Sequence, residues 1–200
     1  MEHYFSSRPQ TPSNPHQLTV ELGGRSCQVV SDAGVFSPDR LDRGTAQLLR
    51  SAPELPQRGT FVDLGCGWGP IALHMALTRP QAAVWAVDVN ERARALTAEN
   101  ARRCGLELMV ASPAHALADP CLQTIDVLWS NPPIRIGKAA LHELLATWLV
   151  RLAPTGEAVL VVAKNLGADS LSRWIHRELG LICTKWHSRK GYRLLRITRT

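Results

Sequence analysis

Asp63, the glycines at 65, 67 and 69, Asp88 and the run Ser130 to Ile134 (SNPPI) are the residues of this chain whose types and spacing can do chemistry. The apolar run Phe61 to Leu64 reads as a buried strand, and the glycines follow it directly, where a tight turn needs a permissive backbone. Pro70 then opens a helix, at a position whose missing N–H would have had no intrahelical partner. A second apolar strand, Ala83 to Val87, ends at Asp88, 21 residues after Gly67. Strand, glycine turn, helix and a late carboxylate are the parts of a nucleotide-type site, with the carboxylate set against ribose hydroxyls.

The order of the glycines narrows the ligand. They run G-x-G-x-G, with Asp63 two residues before the first, whereas a dinucleotide turn runs G-x-G-x-x-G and makes room for pyrophosphate. A carboxylate beside pyrophosphate is penalised by about 1 kcal/mol at ~4 Å in water and by a few times that near a protein surface. The same carboxylate attracts a cation. S-adenosylmethionine carries an ammonium and a sulfonium and no phosphate, so it ranks above NAD as the cofactor.

These residues need a frame. The pattern predicts a helix at about 40–50, then strand 60–64, helix 70–79, strand 83–87, helix 91–103, strands 108–111 and 126–130, helix 138–152, strand 157–163 and helix 169–179. Such alternation means a parallel sheet with helices on both faces. LTVEL and RSCQVV flank Gly23-Gly24 as a small N-terminal β-hairpin, and TKWHSR and YRLLRIT flank Lys190-Gly191 as a C-terminal one. Pro9, Pro12 and Pro15 make Arg8 to His16 an extended lead-in. One domain of residues 1–200 is expected, with 1–50 as an N-terminal extension and 51–200 as the core.

Composition sets the outer limits. Apolar residues make up 45% and include six Trp, enough for a core without staples. Five cysteines, an odd number without C-x-x-C spacing, indicate neither a disulfide framework nor a metal site. No apolar segment reaches membrane length. These features read as a soluble cytoplasmic protein with no membrane partner, and they leave the oligomeric state open, with the monomer favoured. Six of the 23 basic residues, Lys185, Arg189, Lys190, Arg193, Arg196 and Arg199, lie after residue 183 with no acid among them, so the net +6 is concentrated in the terminal hairpin. A basic stripe of this kind suits nucleic-acid phosphates; the bland alternative is a solvated face.

The stretches GVFSPDRLDRGTAQLL, VDLGCGWGPIAL, AVDVNERARALTAENARRCGL, SNPPIRIGKAALHELL and KGYRLLRI carry a resemblance. The chain resembles the class I S-adenosylmethionine-dependent methyltransferases, most of all the small-subunit ribosomal RNA guanine-N2 methyltransferase family, whose larger members look like a fused pair of such domains. The resemblance implies an α/β, Rossmann-like fold with a mostly parallel seven-stranded sheet and an antiparallel C-terminal hairpin. It also implies an RNA substrate. Phe36, Asp63, Gly65, Gly67, Gly69, Asp88, Val89, Ser112, Ala114 and Asn131 are then the cofactor-binding candidates.

Asn131, Pro132 and Pro133 are the catalytic candidates. The exocyclic amine of guanine is a weak nucleophile because its lone pair is delocalised into the ring. The Asn131 side-chain oxygen and the Pro132 carbonyl can each accept an N–H, which aims the lone pair at the sulfonium methyl, and the two prolines stiffen the loop. Ile134, Arg135, Lys138, Lys164, Arg189 and Lys190 are the substrate-binding candidates. Two positions depart from the family pattern: Ile134 stands where an aromatic often stacks on the base, and Pro113 stands where an acid usually meets the adenine amine, with the backbone near Ser112 and Ala114 as its substitute. Asp42 reads as a charge at a helix start, and Cys66 and Cys121 read as structural. Two further readings fit the same residues: a protein glutamine N-methyltransferase, and a non-catalytic RNA-binding assembly factor.

Overall fold

A computed structural model describes residues 11–199, without the side chain of Arg135. The part of the proline lead-in before residue 11 lies outside the described residues. The chain forms β1 (His16–Leu22), β2 (Arg25–Ser31), α1 (Arg43–Ser51), β3 (Thr60–Leu64), α2 (Pro70–Thr78), β4 (Ala83–Val87), α3 (Glu91–Arg103), β5 (Met109–Ala111), α4 (Pro113–Ala118), β6 (Ile125–Ser130), α5 (Lys138–Leu149), β7 (Leu152–Ala163), α6 (Ala168–Leu179), β8 (Ile182–Arg189) and β9 (Tyr192–Thr198). One sheet has the order β5-β4-β3-β6-β7-β9-β8, and β1 and β2 pair separately. Strands β3 to β7 run parallel, while β9 pairs antiparallel with both β7 and β8. This is the expected Rossmann-like α/β fold with its seven-stranded sheet, C-terminal hairpin and small N-terminal hairpin.

The central strands are apolar on both faces because both are covered. Val62, Leu64, Leu128 and Leu160 pack under α5 and α6, and Phe61, Val127, Trp129 and Val159 pack under α1 and α2. The N-terminal hairpin belongs to the same body. Leu22, Cys27 and Val29 bury against Leu73, Leu77 and Leu96 of α2 and α3. Asn100 of α3 clamps β2, accepting the Val30 N–H and donating to the Val30 carbonyl.

Several boundaries differ from the sequence reading. The predicted helix 138–152 ends at Leu149 and the strand predicted to begin at 157 begins at Leu152. Pro154 and Gly156 fall between those two predicted elements, and the register of β6 on β7 steps from Ile125–Leu152 to Val127–Glu157, so the residues between are accommodated as an irregularity within the strand. Helix α4 and the 3-10 turns Pro120–Gln123, Ile134–Ile136 and Lys164–Leu166 went unforeseen. Each is too short to show a hydrophobic period.

Candidate functional site

The carboxyl ends of β3, β4 and β6 open into a cleft of about 740 Å³. Among the residues that line it are Phe36, Asp42, Gly65, Gly67, Asp88, Val89, Asn131, Pro132, Pro133, Ile134 and Tyr192. The sheet thus gathers half of the candidates at the edge where open α/β sheets bind ligands.

The turn after β3 is built from its own backbone. Gly65 and Gly67 have φ of 81° and 58°, and a Cβ added to either would project into open space. That space is part of the cleft, so the glycines leave it free for a ligand. Gly69 is different. It does not line the cleft; with φ 97° it is the N-cap of α2, and a Cβ there would meet Thr97 at 3.0 Å, so its role is packing. Asp88 holds the turn from across the sheet edge: Oδ2 accepts the Gly67 N–H at 2.9 Å and Oδ1 accepts the Asn90 N–H at 2.9 Å. Burial raises its pKa above the ordinary carboxylate value, against the pull of those two amides.

Asn90, which the sequence reading passed over, ties this corner to the GVFS loop. Its side-chain oxygen caps α3 and its nitrogen donates to the Gly34 carbonyl. Phe36 of that loop stands 46% exposed at the cleft. Cys66 is buried and accepts from the Thr97 hydroxyl, the packing role expected of it. Cys121 is exposed on the 3-10 turn before β6 and does not line the cleft.

Asp63, expected to attract a cationic cofactor, is fully buried and does not line the cleft. Its Oδ2 accepts the Ala72 N–H at 2.9 Å in the first turn of α2, and its Oδ1 has no partner among the described residues. Burial, with the Asp88 charge adding to it, pushes its pKa up to about 8.

At the acceptor end, two distant segments meet. The Asn131 side-chain nitrogen donates to Asp42 Oδ1 at 2.8 Å and to the Thr45 hydroxyl at 3.0 Å, across 89 and 86 residues of chain. Asp42 is also the N-cap of α1, accepting from the Gly44 and Thr45 amides, and Tyr192 packs on Gly44. This network assigns the amide orientation: its nitrogen is spoken for, and its oxygen has no donor among the described residues. Asp42, read from the sequence as a helix-start charge, is therefore also the anchor of Asn131. The Pro132 carbonyl already accepts the Ile134 N–H at 2.8 Å, so one of its two lone pairs is left for a second donor.

The remaining candidates scatter. Pro113 and Leu117 line the cleft in place of Ser112 and Ala114; the Ser112 side chain caps α4 and Ala114 is exposed. Lys138 and Lys164 are exposed outside the cleft lining, and the Arg135 side chain lies outside the described residues. Four of the six terminal basic residues have partners within the protein. Lys185 and Arg193 pair with Asp169, Arg196 pairs with Glu157, and Arg199 donates to the Leu152 carbonyl. Two carboxylates, Asp169 from α6 and Glu157 from β7, thus offset part of the basic stripe, backbone carbonyls hold Arg199, and Arg189 and Lys190 at the hairpin tip have neither kind of partner among the described residues.

Comparison with known proteins adds relatives to this geometry. The model of the methyltransferase small domain family matches residues 26–196. An uncharacterized Bacillus subtilis protein, YbxB, is 32% identical over 98% of this chain and 97% of its own length. A Pseudomonas putida protein named ribosomal RNA small subunit methyltransferase C is 36% identical over 92% of this chain, which spans 54% of that relative. The T. thermophilus 16S rRNA N2 methyltransferase, solved in complex with AdoMet and guanosine, superposes with a TM-score of 0.79 at 22% identity over 94% of this chain and 52% of its own.

Proposed function

The chain belongs to the methyltransferase small domain family, and from that premise we propose that it transfers a methyl group from S-adenosylmethionine to the exocyclic N2 amine of guanine in RNA, ribosomal RNA being the substrate class named for its relatives. The observation that carries the reading is the state of Asn131. With its nitrogen held by Asp42 and Thr45, its oxygen is a fixed acceptor at the cleft.

The residues present fit the cofactor. Gly65 and Gly67 leave open a space that any Cβ would enter, and Asp88 brings a carboxylate to the lining beside them. Gly65, Gly67, Asp88 and Val89 would hold it, with Pro113 and Leu117 as an apolar wall for the adenine. When bound, S-adenosylmethionine supplies an electrophilic methyl group on a sulfonium.

The chain's own contribution is orientation. Asn131 Oδ1 accepts one N–H of the guanine amine, and the free lone pair of the Pro132 carbonyl accepts the other, which turns the nitrogen lone pair out of conjugation. The Asp42 carboxylate behind the Asn131 amide strengthens that acceptor as positive charge develops on the amine. The extra proton of the methylated amine passes to water, so no strong base is required. Ile134 and Phe36 offer the apolar surfaces for the base at the cleft.

Incubation of the purified chain with labelled S-adenosylmethionine and undermodified ribosomal RNA, followed by nucleoside analysis, tests the proposal. N2-methylguanosine is the expected product. Label on a protein side-chain amide instead would replace the RNA reading with the glutamine one, and cofactor binding without transfer to any substrate would favour the non-catalytic reading.

A further inference from the structure

The outer strand of the C-terminal hairpin contains a register shift whose effect is to exchange the faces of two residues. In β8, Arg189 pairs with Tyr192, His187 with Leu194 and Lys185 with Leu195, so Lys185 and Trp186 together oppose a single residue of β9. Plain alternation from Arg189 would put Lys185 on the face covered by α1 and Trp186 on the other. The bulge reverses this. Lys185 reaches Asp169 at the start of α6, and the Trp186 indole N–H donates to the Ser51 carbonyl at the end of α1, 2.8 Å away.

The ring is held but not hidden. Besides its bond to Ser51, Trp186 has the Arg196 guanidinium over it at 5.1 Å from the ring centre, and it is still 45% exposed. The indole is thus fixed at its edge while nearly half of its surface is left to solvent. On the same face of the hairpin Arg189 stands directly opposite Tyr192, and Tyr192 lines the cleft. The row Tyr192, Arg189, Trp186 therefore leads from the cleft to the exposed indole over about 10 Å of strand. Arg43 and Arg50 are exposed seven residues apart on α1, on one side of a helix that runs from Asp42 at the cleft to Ser51 beside Trp186, and α1 has no acid of its own.

We propose that this face is the docking surface for the single-stranded RNA that flanks the target guanine, with a neighbouring base stacked on Trp186 and phosphates held by Arg189 and Arg50. It rests on the RNA reading above. The occupant follows from charge and shape together: arginines with no ion-pair partner among the described residues, beside a fixed, open aromatic ring, suit an anionic strand with splayed bases, and a duplex would keep its bases from the ring.

The experiment is fluorescence anisotropy of a labelled single-stranded RNA oligomer, and of the same sequence as a duplex, against the full chain and its Trp186→Ala, Trp186→Phe and Arg189→Ala variants, with cofactor affinity and melting temperature measured alongside. Trp186→Ala is expected to weaken single-strand binding about 5- to 100-fold with an unchanged salt slope, while Trp186→Phe, which keeps a ring and loses the bond to Ser51, stays close to wild type. Arg189→Ala is expected to flatten the log–log salt slope by about 0.7, with cofactor affinity unchanged. Single-strand binding unaffected by Trp186→Ala would overturn the docking surface and leave the RNA reading standing. Equal losses in the Ala and Phe variants, tracking a fall in melting temperature, would make Trp186 a brace and overturn it too. Failure of the wild-type chain to bind either RNA form would remove both the surface and the RNA reading.

Discussion

The two ends of the cleft are built in opposite ways. At the cofactor end, Gly65, Gly67 and Asp88 lie within 24 residues of one another, and the bond from the Gly67 amide to Asp88 closes a single strand–helix–strand unit. At the acceptor end, the decisive bonds run from Asn131 to Asp42 and Thr45, separated by 89 and 86 residues and joined only because α1 lies over the sheet beside β6. The first is a local device that many sequences can carry without further support. The second needs the whole fold, so a slight tilt of α1 would re-aim the Asn131 amide and leave the glycine turn untouched.

The largest expected effect tests whether the ends are separable. Asn131→Ala removes the acceptor aimed at the amine and is expected to lower kcat by about 100- to 1000-fold, while calorimetry finds cofactor affinity within a few-fold of wild type. A matching collapse of cofactor binding would show that the two ends are one unit. Asp88→Ala is the converse. It removes a charged partner from the Gly67 amide as well as from the ligand, and a loss of roughly 1.5 to 3 kcal/mol, about 10- to 100-fold in cofactor affinity, is expected. An unchanged affinity would take Asp88 out of the site.

Asp42 sharpens the contrast further. Serine caps a helix about as well as aspartate but is too short to hold the Asn131 amide, so Asp42→Ser is expected to lower kcat about 10-fold with KM for the cofactor and the melting temperature little changed. Asp42→Asn keeps an acceptor oxygen of the same reach and is expected to recover part of the loss. If both variants lose activity only in proportion to stability, Asp42 is a cap and nothing more.

A separate effect, on stability and not on activity, comes from Asp63. Its pKa is raised from 3.8 to about 8 in the folded chain by burial, so the folded state holds a proton that the unfolded state gives up. Stability contributed this way is complete below about pH 4, declines as pH rises toward 8 and is level above it. Asp63→Asn keeps the acceptor for the Ala72 amide and has no proton to lose. Its melting temperature is expected to fall less than that of wild type between pH 5 and pH 8, and parallel curves would show that Asp63 does not titrate there.

How much could be read in advance follows the same division. The apolar runs before Gly65 and Ser130 and the spacing to Asp88 announced the sheet and the cofactor turn, because a βαβ unit is specified by periodicity and by residues needing particular backbone angles. NPPI could be placed after its strand, yet nothing in the letters around Asp42 says that it will hold Asn131. Asp63 looked like a ligand group from its position, but its place in the strand alternation turned it inward to cap α2.

The terminal hairpin shows what only the tertiary structure could decide. Six basic residues without an acid looked like one charged stripe, because a sequence count sees only neighbours along the chain. Folding set Asp169 and Glu157 against three of them and turned Arg199 onto the backbone at Leu152. One extra residue in β8 then exchanged Lys185 for Trp186 on the face beside α1. Alternation along a strand is legible in a sequence, whereas a bulge is a choice of register made by both strands together. By itself, the sequence determined which segments form the sheet and where a nucleotide-like ligand can approach it. Long-range packing decided which side chains point at one another, since those contacts join residues that share no local pattern.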